Sequence, residues 1–337
     1  MKISLNVVTR ALIVAGLLSA GVAQAGTVIY NTGSAATATV ALGVNDDGSL
    51  NTQPNITSNA GATGLAKKFA DGTFHDATAP GCLCEGWGVS VNGTTSGYAN
   101  VSTDGGAHNL TFGGPTDVTG SSVTTTSSLT SLSGITVKQA YTASTKSSAL
   151  FKDTVTITNT TGADVNNVKY VRVMDWDVPP TEFNEYVTIK GTATTTALEL
   201  SHDNGFATAN PLASTFAINA GTTDVDFADN GPTDHGAYFR FNFGTLKNGE
   251  SYTFNIFYGA TDSEREAIAA IAAESIELYS LGESSTPGGS TAGTPATFIF
   301  GFSGVGGVDI EKTPEPGSLA LVGLALAGLG FARRRRA

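Results

Sequence analysis

The chain has 337 residues but only two cysteines and two tryptophans, and its basic side chains are few: 18 Lys and Arg against 29 Asp and Glu. Two cysteines cannot build a disulfide framework, so the fold must rest on an ordinary apolar core. A formal net charge of −11 repels nucleic acid and anionic lipid, which excludes both as partners of the body of the protein. Catalytic signatures are missing as well. Between the termini there is no G-x-S-x-G elbow, no H-E-x-x-H zinc motif, no phosphate-binding P-loop and no G-x-G-x-x-G, so the chain reads as a non-enzyme. What is plentiful is Gly (41 residues), Thr, Ser, Asn and Ala, with 17 Phe and 9 Tyr. That mixture favours strands and turns over helices and supplies aromatic mass for a core.

The termini have a different character. Met1-Lys2-Ile3 and Arg10 precede Ala11 to Leu18, an apolar stretch too short to span a bilayer, and Val22-Ala23-Gln24-Ala25 follows. A basic start, a short apolar centre and an A-x-A site make a secretory signal peptide, expected over residues 1–25. At the other end, Pro314-Glu315-Pro316 leads through Gly317 into Ser318 to Ala332, which carries no charge, and then into Arg333, Arg334, Arg335 and Arg336. The apolar run is short against the ~20 residues of an ordinary spanning helix. The arginines hold the last residues on the cytoplasmic side, since charge crosses hydrocarbon at high cost. A transmembrane helix within 313–337 is therefore expected to tether a body that lies outside.

This order of P-E-P, short apolar helix and arginine cluster resembles the PEP-CTERM sorting signal of Gram-negative bacteria. The resemblance implies an exosortase as processing partner, transient anchoring in the inner membrane, then release to the cell surface or the extracellular matrix. It also implies an association with exopolysaccharide, because such tails accompany exopolysaccharide production. It gives an address and a fate, and no activity for the residues between.

Those residues, 26–312, read as an all-β ectodomain: an antiparallel β-sandwich with one flanking helix, either one unit or two divided near residue 148. Asp153 to Thr158 alternates polar and β-branched residues and turns at Asn159-Thr160-Thr161-Gly162; Val168 to Trp176 follows as a second β-rich run. Phe239, Phe241 and Phe243 share one face of a strand, as do Tyr252, Phe254, Ile256 and Tyr258 of the next, the period-two mark of a sheet with a buried side. Residues 296–302 supply a last strand. Thr119 to Ser133, mostly Ser and Thr, is expected as a weakly paired edge strand or loop. A helix should open at Ser263 with a capping box to Glu266, carry Ile268, Ile271, Ser275 and Leu278 on one face, and stop near Leu281-Gly282.

Three places could carry chemistry. Cys82 and Cys84 are expected to close as a C-x-C disulfide in an oxidising compartment, with Gly81 and Gly86 supplying the bend. Asp175, Trp176 and Asp177 put two carboxylates on one strand face and an indole on the other, a candidate site for a glycan or for calcium. No other cofactor is implied. If the two tryptophans, Trp87 and Trp176, lie in the core, stacking on a sugar is excluded. His75, His108, His202 and His235 are expected in exposed loops. Asn45 to Gly48 and the acidic run Asp224 to Gly231 are expected as hydrated turns. The leading reading is a sorted, non-enzymatic surface or matrix protein. A glycan-binding module or adhesin is the second, and a glycan-acting enzyme with two opposed carboxylates the third.

Overall fold

The computed structural model describes residues 26–285 and 293–308. The signal peptide, the P-E-P motif, the apolar tail and the arginine cluster lie outside the described residues. Among the described residues no helix is long and apolar enough to cross a membrane.

The described residues are nearly all β, and every pairing between their strands is antiparallel. A four-stranded sheet runs in chain order through β1 (Thr27–Tyr30), β2 (Val40–Val44), β3 (Leu65–Lys68) and β4 (Phe74–Asp76). A six-stranded sheet holds β5 (Gly86–Val91), β6 (Thr95–Asn100), β7 (Gly106–His108), β12 (Lys169–Trp176), β14 (Leu198–His202) and β16 (His235–Asn242). Its order across the sheet is β14-β16-β12-β5-β6-β7. A nine-stranded sheet holds β8 (Leu110–Phe112), β9 (Ser122–Leu129), β10 (Ile135–Ala143), β11 (Leu150–Asn159), β13 (Glu185–Lys190), β15 (Phe227–Thr233), β17 (Ser251–Thr261), β18 (Leu278–Ser284) and β19 (Thr297–Ser303). Its order is β15-β13-β18-β19-β17-β11-β10-β9-β8, and the helix α1 (Glu264–Glu274) connects β17 to β18. β10 and β11 pair in an unbroken register from Ile135↔Asn159 to Ala143↔Phe151, and residue 148 lies in the loop that joins them.

The two large sheets face each other through aromatic side chains. Phe239 of β16 meets Phe300 and Phe302 of β19 with ring centroids 5.5 and 5.2 Å apart, both edge-on. Tyr170 of β12 meets Phe254 of β17 at 5.0 Å. Edge and tilted contacts are preferred because the positive rim of one ring meets the negative face of the next. Burying each such side chain contributes about 1.5–3 kcal/mol. The alternation read at Phe239 and Phe241, and at Phe254, Ile256 and Tyr258, puts these residues in the shared core.

Several local expectations are corrected. The segment expected as a loose edge contains β9, which is paired on both sides, to β8 and β10; its buried Val123, Thr125, Ser127 and Leu129 face inward in alternation. The helix stops at Glu274, because Ser275 turns left-handed (φ 56°) and its N–H closes on Ala272 and Ile271. Leu278 and Tyr279 then belong to β18, as do Leu281 and Gly282, the residues expected to stop the helix. Ser263 is the N-cap, but its side chain makes no capping bond; instead the Asp262 N–H donates to Glu266 Oε2 at 3.2 Å. The Asn45–Gly48 turn is not hydrated: Asn45 and Asp47 are buried. The turn plugs the core. Its Gly48 carbonyl accepts from Tyr141 Oη at 2.7 Å, and the Asp47 carbonyl accepts from Trp87 Nε1 at 2.9 Å. Most of the Asp224–Gly231 run lies in β15, with Asp226 accepting from the Thr192 N–H and hydroxyl.

Candidate functional site

Strand β12 sends alternate residues to opposite faces, and the two faces carry different chemistry. Inward go Tyr170, Arg172, Met174 and Trp176. Trp176 is completely buried, its ring 6.4 Å from Phe298 and its Nε1 donating to Ser280 Oγ at 3.1 Å. A Cβ at Gly282 would lie 2.6 Å from Trp176 Cδ2, so glycine there gives the indole its bed. Trp87 is equally buried and stacks on Tyr170 at 6.0 Å. Neither tryptophan can stack on a sugar, and the part of the glycan expectation that rested on Trp176 is withdrawn.

Arg172, also fully buried, is held by the chain itself. Its Nε pairs with Glu85, its Nη1 donates to Gln139 Oε1 at 2.7 Å, and its Nη2 donates to the Gly48 carbonyl at 3.2 Å. Burial works against the Arg172 charge, and the neighbouring Glu85 carboxylate with the surrounding tyrosine hydroxyls outweighs it, holding the guanidinium well above its ordinary pKa. Asp153 lies in the same cluster; burial pushes it up to about 7, against the attraction of Arg172.

The opposite face of β12 carries Asp175, and the next same-face position, just past the strand end, is Asp177. The neighbouring strand β16 sets Gly236 opposite Asp175 and His235 opposite Trp176. One step further, Asp234 joins the two aspartates: a carboxylate oxygen from each of the three lies within 4.8 Å of the others. Asp175 and Asp177 are buried at 1% and 0% exposure, whereas Asp234 is exposed. Among the described residues, Asp175 Oδ1 and both oxygens of Asp177 have no hydrogen-bond partner. Burial first, then the charges of Asp177, Asp234 and Glu185, push Asp175 well above the usual carboxylate range. Burial, then Asp234, Asp76 and Glu182, raise Asp177 to about 8. Glu185 is raised to about 9 by burial, with Asp177 and Asp234 adding to it against a backbone N–H from His235.

Asp76, whose charge is felt at Asp177, shows what a satisfied buried carboxylate looks like here. It accepts from the N–H groups of Gly64, Thr78 and Ala79 at 2.7–2.9 Å. Asp175 and Asp177 have no such cradle. Cys82 and Cys84 are joined as a disulfide, with Cα atoms 5.3 Å apart, and Cys82 Sγ sits 3.5 Å from Asp175 Oδ2. A disulfide sulfur carries no proton, so this is a contact and not a hydrogen bond.

The histidines are placed differently from expectation, all four in strands and two of them fully buried. His235 Nδ1 pairs with Asp203 Oδ2 at 3.1 Å, and Asp203 also accepts from the Ile218 N–H and the Thr222 hydroxyl at 2.9 Å each. His202 stacks on Tyr238 at 4.5 Å, and burial lowers its pKa to about 4. The partners are not sequence neighbours: the β14–β16 pairing brings Asp203 to His235. Asp234 was legible only as the residue before a histidine, and nothing in its spacing ties it to Asp175.

A family model, the PEP-CTERM protein-sorting motif, matches residues 312–336. That segment contains Pro314, Glu315, Pro316 and the four arginines Arg333 to Arg336. The chain thus carries the sorting address of an exported protein that an exosortase processes. No curated protein and no solved structure matches it.

Proposed function

We propose that the chain is a non-enzymatic component of the cell surface or extracellular matrix, a single ectodomain over residues 26–312 delivered through its sorting tail and associated with exopolysaccharide. The observation that carries this reading is the sorting motif at 312–336. The signal peptide at 1–25 and transient anchoring in the inner membrane complete the route. The acidic body fits a life outside the cell, where repulsion keeps it soluble. A glycan-acting enzyme is the weaker reading, because glycoside hydrolysis needs two carboxylates on either side of a sugar. Asp175 and Asp177 are buried side by side instead.

The test uses the protein as its host makes it. Intact mass should show loss of both the N-terminal 25 residues and the tail beyond the P-E-P motif, and the processed protein should co-sediment with the host's exopolysaccharide. Retention of both Met1 and Arg336 would overturn the sorting route; a processed protein that stays in the supernatant would overturn the exopolysaccharide association alone.

A further inference from the structure

Two carboxylates buried side by side, with no counter-charge among the described residues, are the least explained feature of this fold. Leaving an ion in a low-dielectric interior costs several kcal/mol even after relaxation, unless a counter-charge or hydrogen bonds compensate. Among the described residues, no ion pair involves Asp175, Asp177 or Asp234. The nearest ring that could carry positive charge, His235, has its Nδ1 committed to Asp203. Among the described residues, three of the four oxygens of Asp175 and Asp177 find no hydrogen-bond partner; Asp175 has only a backbone N–H from Trp176, and its Oδ2 faces a disulfide sulfur. Gly205 packs directly on Asp175: a Cβ there would lie 2.5 Å from the Asp175 Cα and 2.8 Å from its Oδ1.

We propose that Asp175, Asp177 and Asp234 bind one divalent cation of the calcium type at the outer end of β12. The donors are all carboxylate oxygens, which suits a hard cation. Calcium sits 2.3–2.6 Å from its ligands, so two ligands of one ion can be separated by up to about 5 Å, and the 4.8 Å limit within which these oxygens cluster satisfies that. With the disulfide closed, Cys82 and Cys84 offer no thiolate, and a soft metal has no reason to prefer the place. The exposed Asp234 is the entry side. Buried Asp175 and Asp177 form the floor, and water completes the shell. A site with three protein carboxylates and several waters belongs with the weak extracellular calcium modules, Kd about 10⁻⁴–10⁻³ M. The site does not depend on the exopolysaccharide reading: it follows from the unpartnered oxygens alone.

The experiment is equilibrium dialysis of the processed protein against calcium chloride, with thermal melts in calcium and in chelator. One saturable calcium per chain is expected, with a rise in Tm on binding. Asp234→Asn, at an exposed position that does not threaten the fold, should weaken binding at least tenfold. Asp177→Asn should abolish binding. Absence of stoichiometric calcium in the unaltered protein would overturn the site. So would undiminished binding in Asp234→Asn, or in an Asp177→Asn variant that still melts cooperatively.

Discussion

The two faces of β12 bury charge in opposite ways. On the inner face Arg172 is surrounded by groups of this same chain: Glu85, Gln139 and the Gly48 carbonyl. The guanidinium also lies 5.4 Å from the Tyr258 ring centroid. On the outer face Asp175 and Asp177 are buried just as deeply, yet the described residues supply no positive partner. In the first cluster the charge of Arg172 is matched within the chain, although Asp153 beside it keeps both carboxylate oxygens without a hydrogen-bond partner. The second is complete only with something from solution, a proton or a cation. A buried charge whose partners all lie in the chain is an element of architecture, and one left open toward an exposed carboxylate is a place for a ligand.

The sharpest way to break the inner cluster is Arg172→Met, which strands Glu85 as an uncompensated buried carboxylate. A loss of about 3–5 kcal/mol is expected from denaturant unfolding. Adding Glu85→Leu to that variant should recover most of the loss, since an apolar replacement of a whole buried pair is often neutral or better. If the double variant is no more stable than the single one, the cluster holds the Gly48 turn in place by more than charge.

Asp153 probes whether the inner cluster is balanced. Its folded pKa of about 7 lies above its ordinary value of 3.8, with burial as the main cause. The folded state therefore keeps this proton between those limits while the unfolded chain loses it. Its contribution to stability is full below about pH 4, falls as pH rises toward 7, and stays low above. Asp153→Asn should remove that slope, raising Tm at pH 8 by several degrees and leaving it nearly unchanged at pH 4. A lower Tm at pH 8 would mean that ionised Asp153 is a second counter-charge for Arg172. On the inner face, at the end of β12, lies the indole of Trp176, bedded on Gly282. Gly282→Ala would drive a methyl into that ring and should cost about 1–3 kcal/mol by overpacking.

How much of this could be read beforehand depends on distance along the chain. The alternation in β16 and β17 shows the buried faces because a strand's side-chain period is local. The same logic puts Asp175 and Asp177 on one face and Trp176 on the other. It does not tell which face the second sheet covers, nor that loops would bury the other face too. Asp203 with His235 is a product of strand pairing across a long connection, so no local pattern shows it. The helix end was missed because Ile276, Leu278 and Tyr279 continue a plausible apolar stripe. Ser275 in a left-handed conformation, a place usually taken by Gly or Asn, ends it without the usual signal. The Asn45–Gly48 turn has turn chemistry, as its sequence says, but its carbonyls point at Tyr141, Arg172 and Trp87 from distant strands.

The smallest effect is expected where the outer cluster meets the disulfide. The Cys82–Cys84 bond closes a ring of only three residues, so the chain entropy it removes from the unfolded state is small, about 1–2 kcal/mol. Cys82→Ala with Cys84→Ala should therefore lower the Tm by a few degrees at most. If the outer site is built from carboxylates alone, calcium binding measured by dialysis should survive the double replacement within about threefold. The sulfur near Asp175 is then only a wall of the site. A loss of calcium binding in a variant that still melts cooperatively would give the C-x-C loop a different standing. It would be what holds Asp175 against Asp177 and Asp234, and the contrast between the two faces of β12 would then rest on a covalent clamp as well as on charge.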